Sequence, residues 1–212
     1  ENLRTGQARV NFAGTEQSLQ GIWDTRGFAR RNLNAGTNRR PVRAAFAIFL
    51  CAPHESWKDE SLPDIFVGRD VDRAPGGDSS RYQQTCRGCH TAMDAFRGAW
   101  AYRDFVDNDI QFLQNITGKL ATNADIYPGG YATYSNAWTN LLTTRSQQEF
   151  FGWRSASSGM GLLSFGELIA NSERFQNCMA RRVLESVCPR TDLKSENGVR
   201  NIKELGAGFR EG

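Results

Sequence analysis

No apolar run in this 212-residue chain is longer than Ala44 to Ala52, far short of the roughly 20 residues that a bilayer-spanning helix needs. Nothing therefore reads as a membrane span. Runs of one charge are also missing: 26 basic and 23 acidic residues are scattered from end to end, with a net charge of +3. That balance gives no argument for nucleic acid or an anionic membrane as a partner, since either would need a clustered basic face. There is no internal repeat, no low-complexity tract and little alternation of strand and helix signals. Histidine is scarce, with His54 and His90 alone, and the cysteines outside one motif have no close companion. Structural zinc would need a second closely spaced pair of ligands. No strand or βαβ pattern surrounds the single Cys-x-x-Cys, which a thioredoxin-like dithiol would want.

What is present is Cys86-Arg87-Gly88-Cys89-His90. Two thiols at this spacing can each add to a vinyl group of haem, and the adjacent imidazole can reach the iron from the same side. The motif predicts one covalently attached c-type haem with Cys86 and Cys89 as attachment points and His90 as an iron ligand. Such attachment takes place outside the bacterial cytoplasm, so the expectation is a periplasmic or extracellular chain whose leader was removed ahead of Glu1. Cys51, Cys178 and Cys188 are then left over. On one helix Cys178 and Cys188 would stand about 15 Å apart, too far to bridge. Cys51 with Cys178 is the most plausible disulfide; three small buried hydrophobes is the competing reading.

With 21 glycines and 39% hydrophobic residues, the composition suggests a soluble chain with much irregular structure, and about six helical segments with little alternation make it mainly α, a helical domain with long irregular loops. One domain, 1–212, is expected, with 1–40 an irregular N-terminal wrap except for a short helix over Thr25–Asn34. A buried helix is expected over Pro41–Cys51, then a surface loop over Glu55–Asp72. Ser79 or Ser80 caps a helix carrying Arg81–Cys89. Phe96, Trp100, Tyr102 and Phe105 either line a porphyrin edge or form ordinary core. Asp107–Tyr134, around Tyr127-Pro128-Gly129-Gly130-Tyr131, reads as a long loop with room for a hairpin. Trp138–Trp153 reads as helix, Ser155–Gly161 as a flexible loop, Ser164–Asn171 as a capped helix, Ser172–Cys188 as another, and Asp192–Phe209 as a weaker one.

The second iron ligand is the open question within the motif's own logic. Met160, flanked by Gly159 and Gly161, is the first choice, because small neighbours let a thioether approach closely. His54 is the alternative, although a lone histidine just past a helix end is more often a cap or a surface group. Met93 is too near His90 in sequence, and Met179 falls in an apolar stripe with Phe175, Val183 and Val187.

Cys86-x-x-Cys89-His90-x-x-Met93-Asp94, followed by aromatic chain, resembles the haem segment of exported, poorly characterised bacterial cytochrome c-like proteins. Phe49-Leu50-Cys51 ahead of Pro53 and Pro63, the segment Phe165 to Ile169, and Phe175 to Cys178 are similar to the flanking pattern of that group. The likeness covers residues 39 to 105 and 160 to 212. It departs at Asp94-Ala95-Phe96-Arg97-Gly98, where the group usually has Asp-Pro-Leu-Gly-Phe. Members often continue past the position of Phe209-Arg210-Glu211-Gly212, so 190–212 is expected to begin a longer C-terminal portion. The resemblance implies a haem protein outside the cytoplasm and names no substrate. Electron transfer to a redox partner protein is the expected role. The alternatives are a haem enzyme of peroxidase type, or a structural subunit of a larger exported assembly.

Overall fold

Thr25 starts the first α-helix by accepting a hydrogen bond from the Phe28 N–H at 3.3 Å, as a threonine cap should. The computed structural model describes residues 9–12, 15–18, 21–71, 80–121, 130–188 and 192–211. Ahead of that cap, β1 (Arg9–Phe12) and β2 (Thr15–Ser18) form an antiparallel hairpin within the expected irregular wrap. The helix itself, α1, is Arg26–Asn32. Helix α2 is Arg40–Phe49, with Pro41 in its first turn. It is one-sided, against the expectation of burial all round: Val42, Ala45 and Phe46 are buried, while Ala47 and Ile48 face outward.

The segment after α2 is a loop but not a surface one. Trp57, Leu62, Val67 and Val71 are buried, because a 3-10 turn over His54–Ser56 aims Trp57 inward, where its indole donates to the Ala52 carbonyl at 3.1 Å. Tyr82–Cys86 winds as one wide π turn into α3 (Arg87–Phe96), and a 3-10 turn carries the chain on to Trp100. The helix thus runs well past its expected end, Cys89. Ser79 lies outside the described residues.

β3 (Arg103–Val106) and β4 (Asp109–Phe112) pair across Asp107 and Asn108, both at positive φ, as a two-residue hairpin turn requires. A short α4 (Gly118–Ala121) follows; Tyr127 to Gly129 lie outside the described residues. The expected helix over Trp138–Trp153 is two things instead. Trp138 sits on β5 (Ala137–Thr139), and only α5 (Arg145–Phe151) is helical, fixed by a Thr144/Gln147 capping box and ended by Gly152 at φ 60°. β5 pairs with β6 (Ser158–Met160), a strand where a flexible loop was expected. A side chain at Gly159 would come within 2.6 Å of the Trp138 ring, so the close strand approach depends on that glycine.

Gly161–Ala170 forms α6, with Ser164 inside rather than at its start; its hydroxyl donates to the Met160 carbonyl at 2.9 Å. Ser172 caps α7 (Glu173–Val187), and α8 (Glu196–Glu211) packs along it. Val183 and Val187 are exposed and Met179 is half-buried, so the stripe expected to mark core leaves it along the second half of α7. Cys51 and Cys178 form a disulfide, with Cα atoms 5.4 Å apart, that ties the end of α2 to α7. Arg174 clamps the same junction. It donates to the carbonyls of Leu50 and Cys51 at 3.0 and 3.2 Å while its guanidinium lies over the Phe150 ring.

One large aromatic core is built from residues of α1, α2, α3, α5, α6 and the segments between them, with Trp138 of β5 and Phe105 of β3. Phe165 meets Trp100 edge-on at 4.9 Å and also touches Trp23, Phe96 and Trp138. Phe96, Trp100 and Phe105 are therefore core residues, and Tyr102 is half-buried. No helix among the described residues is long and apolar enough to cross a membrane.

Candidate functional site

Spacing alone places Cys86, Cys89 and His90 on one face where the π turn passes into α3, because side chains three and four residues apart are neighbours on a helix. All three are partly exposed, whereas every residue from Thr91 to Trp100 is buried. The motif thus sits at the last point where the helix meets solvent before it enters the core. The loop after α2 braces that point: the Asp59 N–H donates to the Gly88 carbonyl at 2.8 Å, and the Thr91 hydroxyl lies 3.3 Å from the Asp59 carbonyl. Cys86 rests against Val67, Val71 and Tyr82.

Cys86 and Cys89 are free thiols. Burial pushes the Cys89 thiol up, and Glu55 and Cys86 add to this against the opposing charges of Lys58 and Arg43. A reactive dithiol needs the opposite, a thiolate stabilised near neutral pH. Among the described residues no group of three or more His, Cys, Asp or Glu side chains converges as a metal-ion site.

His90 is held from behind. Its Nδ1 lies 3.3 Å from Oδ1 of Asp94, one turn along the helix. Asp94 is buried and also accepts from Arg39 Nε at 2.5 Å, Arg39 Nη2 at 2.6 Å and the Gly68 N–H at 2.8 Å. Burial pushes its carboxyl up, but the charge and hydrogen bonds of Arg39, with help from Arg97 and His90, outweigh this and hold it well below the usual carboxylate range. An ionised carboxylate only accepts, so Nδ1 of His90 must be the donor. In the neutral imidazole the lone pair is then on Nε2, the nitrogen away from Asp94. This carboxylate–histidine arrangement is the one that orients an imidazole for a metal and raises its basicity.

Arg39 bridges Asp94 to Asp70, which in turn pairs with the buried Arg97 at 3.2 Å. Gly68 has no side chain because the Arg97 guanidinium occupies the space a Cβ would need. Burial pushes the Asp70 carboxyl up, and Arg39 and Arg97 more than reverse this, so its folded pKa lies below the unfolded one. The stability this contributes is fully present above about pH 4 and is lost as pH falls through the depressed folded value. Asp70→Asn should flatten the acid limb of stability against pH, read from urea midpoints across that range; an unchanged limb would remove Asp70 from the network's role.

The two candidates for the second iron ligand lie on other elements than His90. Met160 is 63% exposed at the start of α6, on a strand that reaches α3 through β5. His54 lies in the 3-10 turn after α2, with Nδ1 at 3.1 Å from Glu55 and 3.4 Å from Arg43. Met93 is buried in the core. Asp94 could be found from its four-residue spacing to His90, but Arg39, Asp70 and Gly68 carry no local signal. The free thiols, their exposure and the oriented imidazole suit covalent attachment of haem. No family model, curated protein or solved structure matches the chain.

Proposed function

We propose that this is an exported c-type haem protein with a cytochrome c-like role in electron transfer. The observation that carries the reading is the His90–Asp94 hydrogen bond, which engages Nδ1 and leaves Nε2 of the neutral imidazole to bind iron, on the same turn of chain as two cysteines outside any disulfide. In attachment each S–H adds across a vinyl group: sulfur bonds to one carbon, the thiol hydrogen goes to the other, and no net oxidation occurs. Cys86 and Cys89 supply the sulfurs and Nε2 of His90 the iron ligand. The bound group supplies a one-electron change at iron. The chain's own part is to fix the imidazole's orientation and tautomer and, through the anionic Asp94, to favour the oxidised state. The Cys51–Cys178 disulfide supports a periplasmic or extracellular location, since such bridges persist in oxidising compartments.

A second reading, a haem enzyme of peroxidase type, gains support from the same carboxylate, because a more basic imidazole favours higher oxidation states of iron. The absorption spectrum separates the two. Electron transfer predicts a six-coordinate haem, with loss of Met160 in Met160→Ala changing spectrum and potential if that thioether is the second ligand. An open, five-coordinate haem that turns over peroxide would favour the enzyme. Cys86→Ser/Cys89→Ser should abolish haem that survives denaturation, measured as the pyridine haemochrome. Haem-free wild-type chain produced with an intact attachment system would sink both readings.

A further inference from the structure

Arg39, Arg97, Arg103, Arg145 and Arg181 each pair with an aspartate or glutamate. Among the described residues Arg31, Arg40 and Arg43 have no such ion pair, and all three gather around one open cleft of about 500 Å³ between the end of α1, the first turns of α2 and the His54 turn. Arg40 donates to the Asn34 carbonyl at 2.8 Å, and Arg43 approaches the Nδ1 of His54 at 3.4 Å. The one acid in the wall, Glu55, is engaged with His54. Clustered guanidiniums repel one another, and each presents a planar fork that matches a carboxylate.

The floor is apolar. Ala44, Ala47 and Pro53 line it, and the exposed Ile48 follows Ala47 on α2 outside the cleft's own lining. A small oxyanion has no use for that surface, whereas a protein interface combines an apolar centre with a charged rim. The cleft is also joined to the motif, since the His54 turn in its wall runs on into Asp59, whose N–H braces the motif at the Gly88 carbonyl. The consecutive residues Arg39 and Arg40 divide the labour, one facing the network behind His90 and the other the cleft.

We propose that this cleft is the docking site for an acidic surface segment of the redox partner, a proposal that rests on the electron-transfer reading. Charge complementarity beside the haem-bearing helix would steer encounter and set its orientation.

The test uses the haem-loaded chain, the double variant Arg31→Glu/Arg40→Glu, which touches neither the motif nor His54, and the control Arg145→Glu/Arg181→Glu on other surfaces. A fluorescein-labelled hexaglutamate peptide is titrated by anisotropy at low and at roughly physiological (~0.15 M) ionic strength. The cleft variant should lose roughly tenfold or more in affinity and the control much less. The rates of haem oxidation by ferricyanide, an anion, and of haem reduction by hexaammineruthenium(II), a cation, are then compared. The cleft variant should slow the first and quicken the second. Equal losses in cleft and control variants, or no binding to wild type, overturn the cleft as an acid-binding site. Peptide loss without a change in either rate overturns its role in electron exchange. A chain without haem sinks the electron-transfer reading instead, and the peptide titration still decides whether the cleft takes acid.

Discussion

Replacing Asp94 with alanine should cost about 3–5 kcal/mol, the usual penalty for breaking a buried ion pair from one side. Arg39 would keep Asp70 but lose both bonds to Asp94, and the Gly68 N–H and His90 Nδ1 would lose their acceptor. Such a loss is a large part of a typical domain's ~5–15 kcal/mol, so the urea midpoint should fall steeply. Asp94→Asn separates folding from function, because its amide oxygen can still accept from His90 while the charge is gone. With haem bound, that variant should shift the reduction potential upward, since a neutral partner makes the imidazole a weaker donor. Arg39→Gln should shift it downward by leaving the Asp94 charge less compensated and so a stronger acceptor for His90. Shifts of the same sign in both variants would mean the network only holds the fold together.

Loss of the Cys51–Cys178 bridge is the second large effect. The two cysteines are 127 residues apart in sequence, and closing so long a loop removes about 5 kcal/mol of unfolded-state entropy in the chain-entropy view, of which bridges typically deliver ~2–4. Cys51→Ser/Cys178→Ser should therefore lower the thermal midpoint strongly. The haem spectrum should survive at low temperature, because Arg174 still ties α7 to the carbonyls of Leu50 and Cys51. A variant with an unchanged midpoint would show that this clamp alone suffices.

Local signals explain what the sequence made legible. The helices begin at Thr25 and Ser172 much as expected, and helical rise excluded Cys178–Cys188, which left Cys51–Cys178 as the favoured bridge that the fold contains. Trp138, Leu141 and Leu142 misled because their spacing suits a helix face as well as a strand and its exit. The deciding partner, Gly159, lies beyond α5 and matters only once the two strands meet. The motif itself was legible because its three residues are nearly contiguous. Its support was not, since Arg39 and Asp70 come from separate segments and converge on Asp94 only through the fold.

The disulfide has a further consequence for how the protein is made. Its ends lie on either side of Cys86 and Cys89, neither of which is in a disulfide. During oxidation in the unfolded chain, the shorter loop from Cys51 to Cys86 closes more readily than the native one, by about 1 kcal/mol in loop entropy. Mispairing is thus the entropically favoured first error. Thioether formation at Cys86 and Cys89 would take both sulfurs out of that competition, so cofactor attachment before oxidation doubles as proofreading of the native bridge, with Cys188 the only remaining competitor.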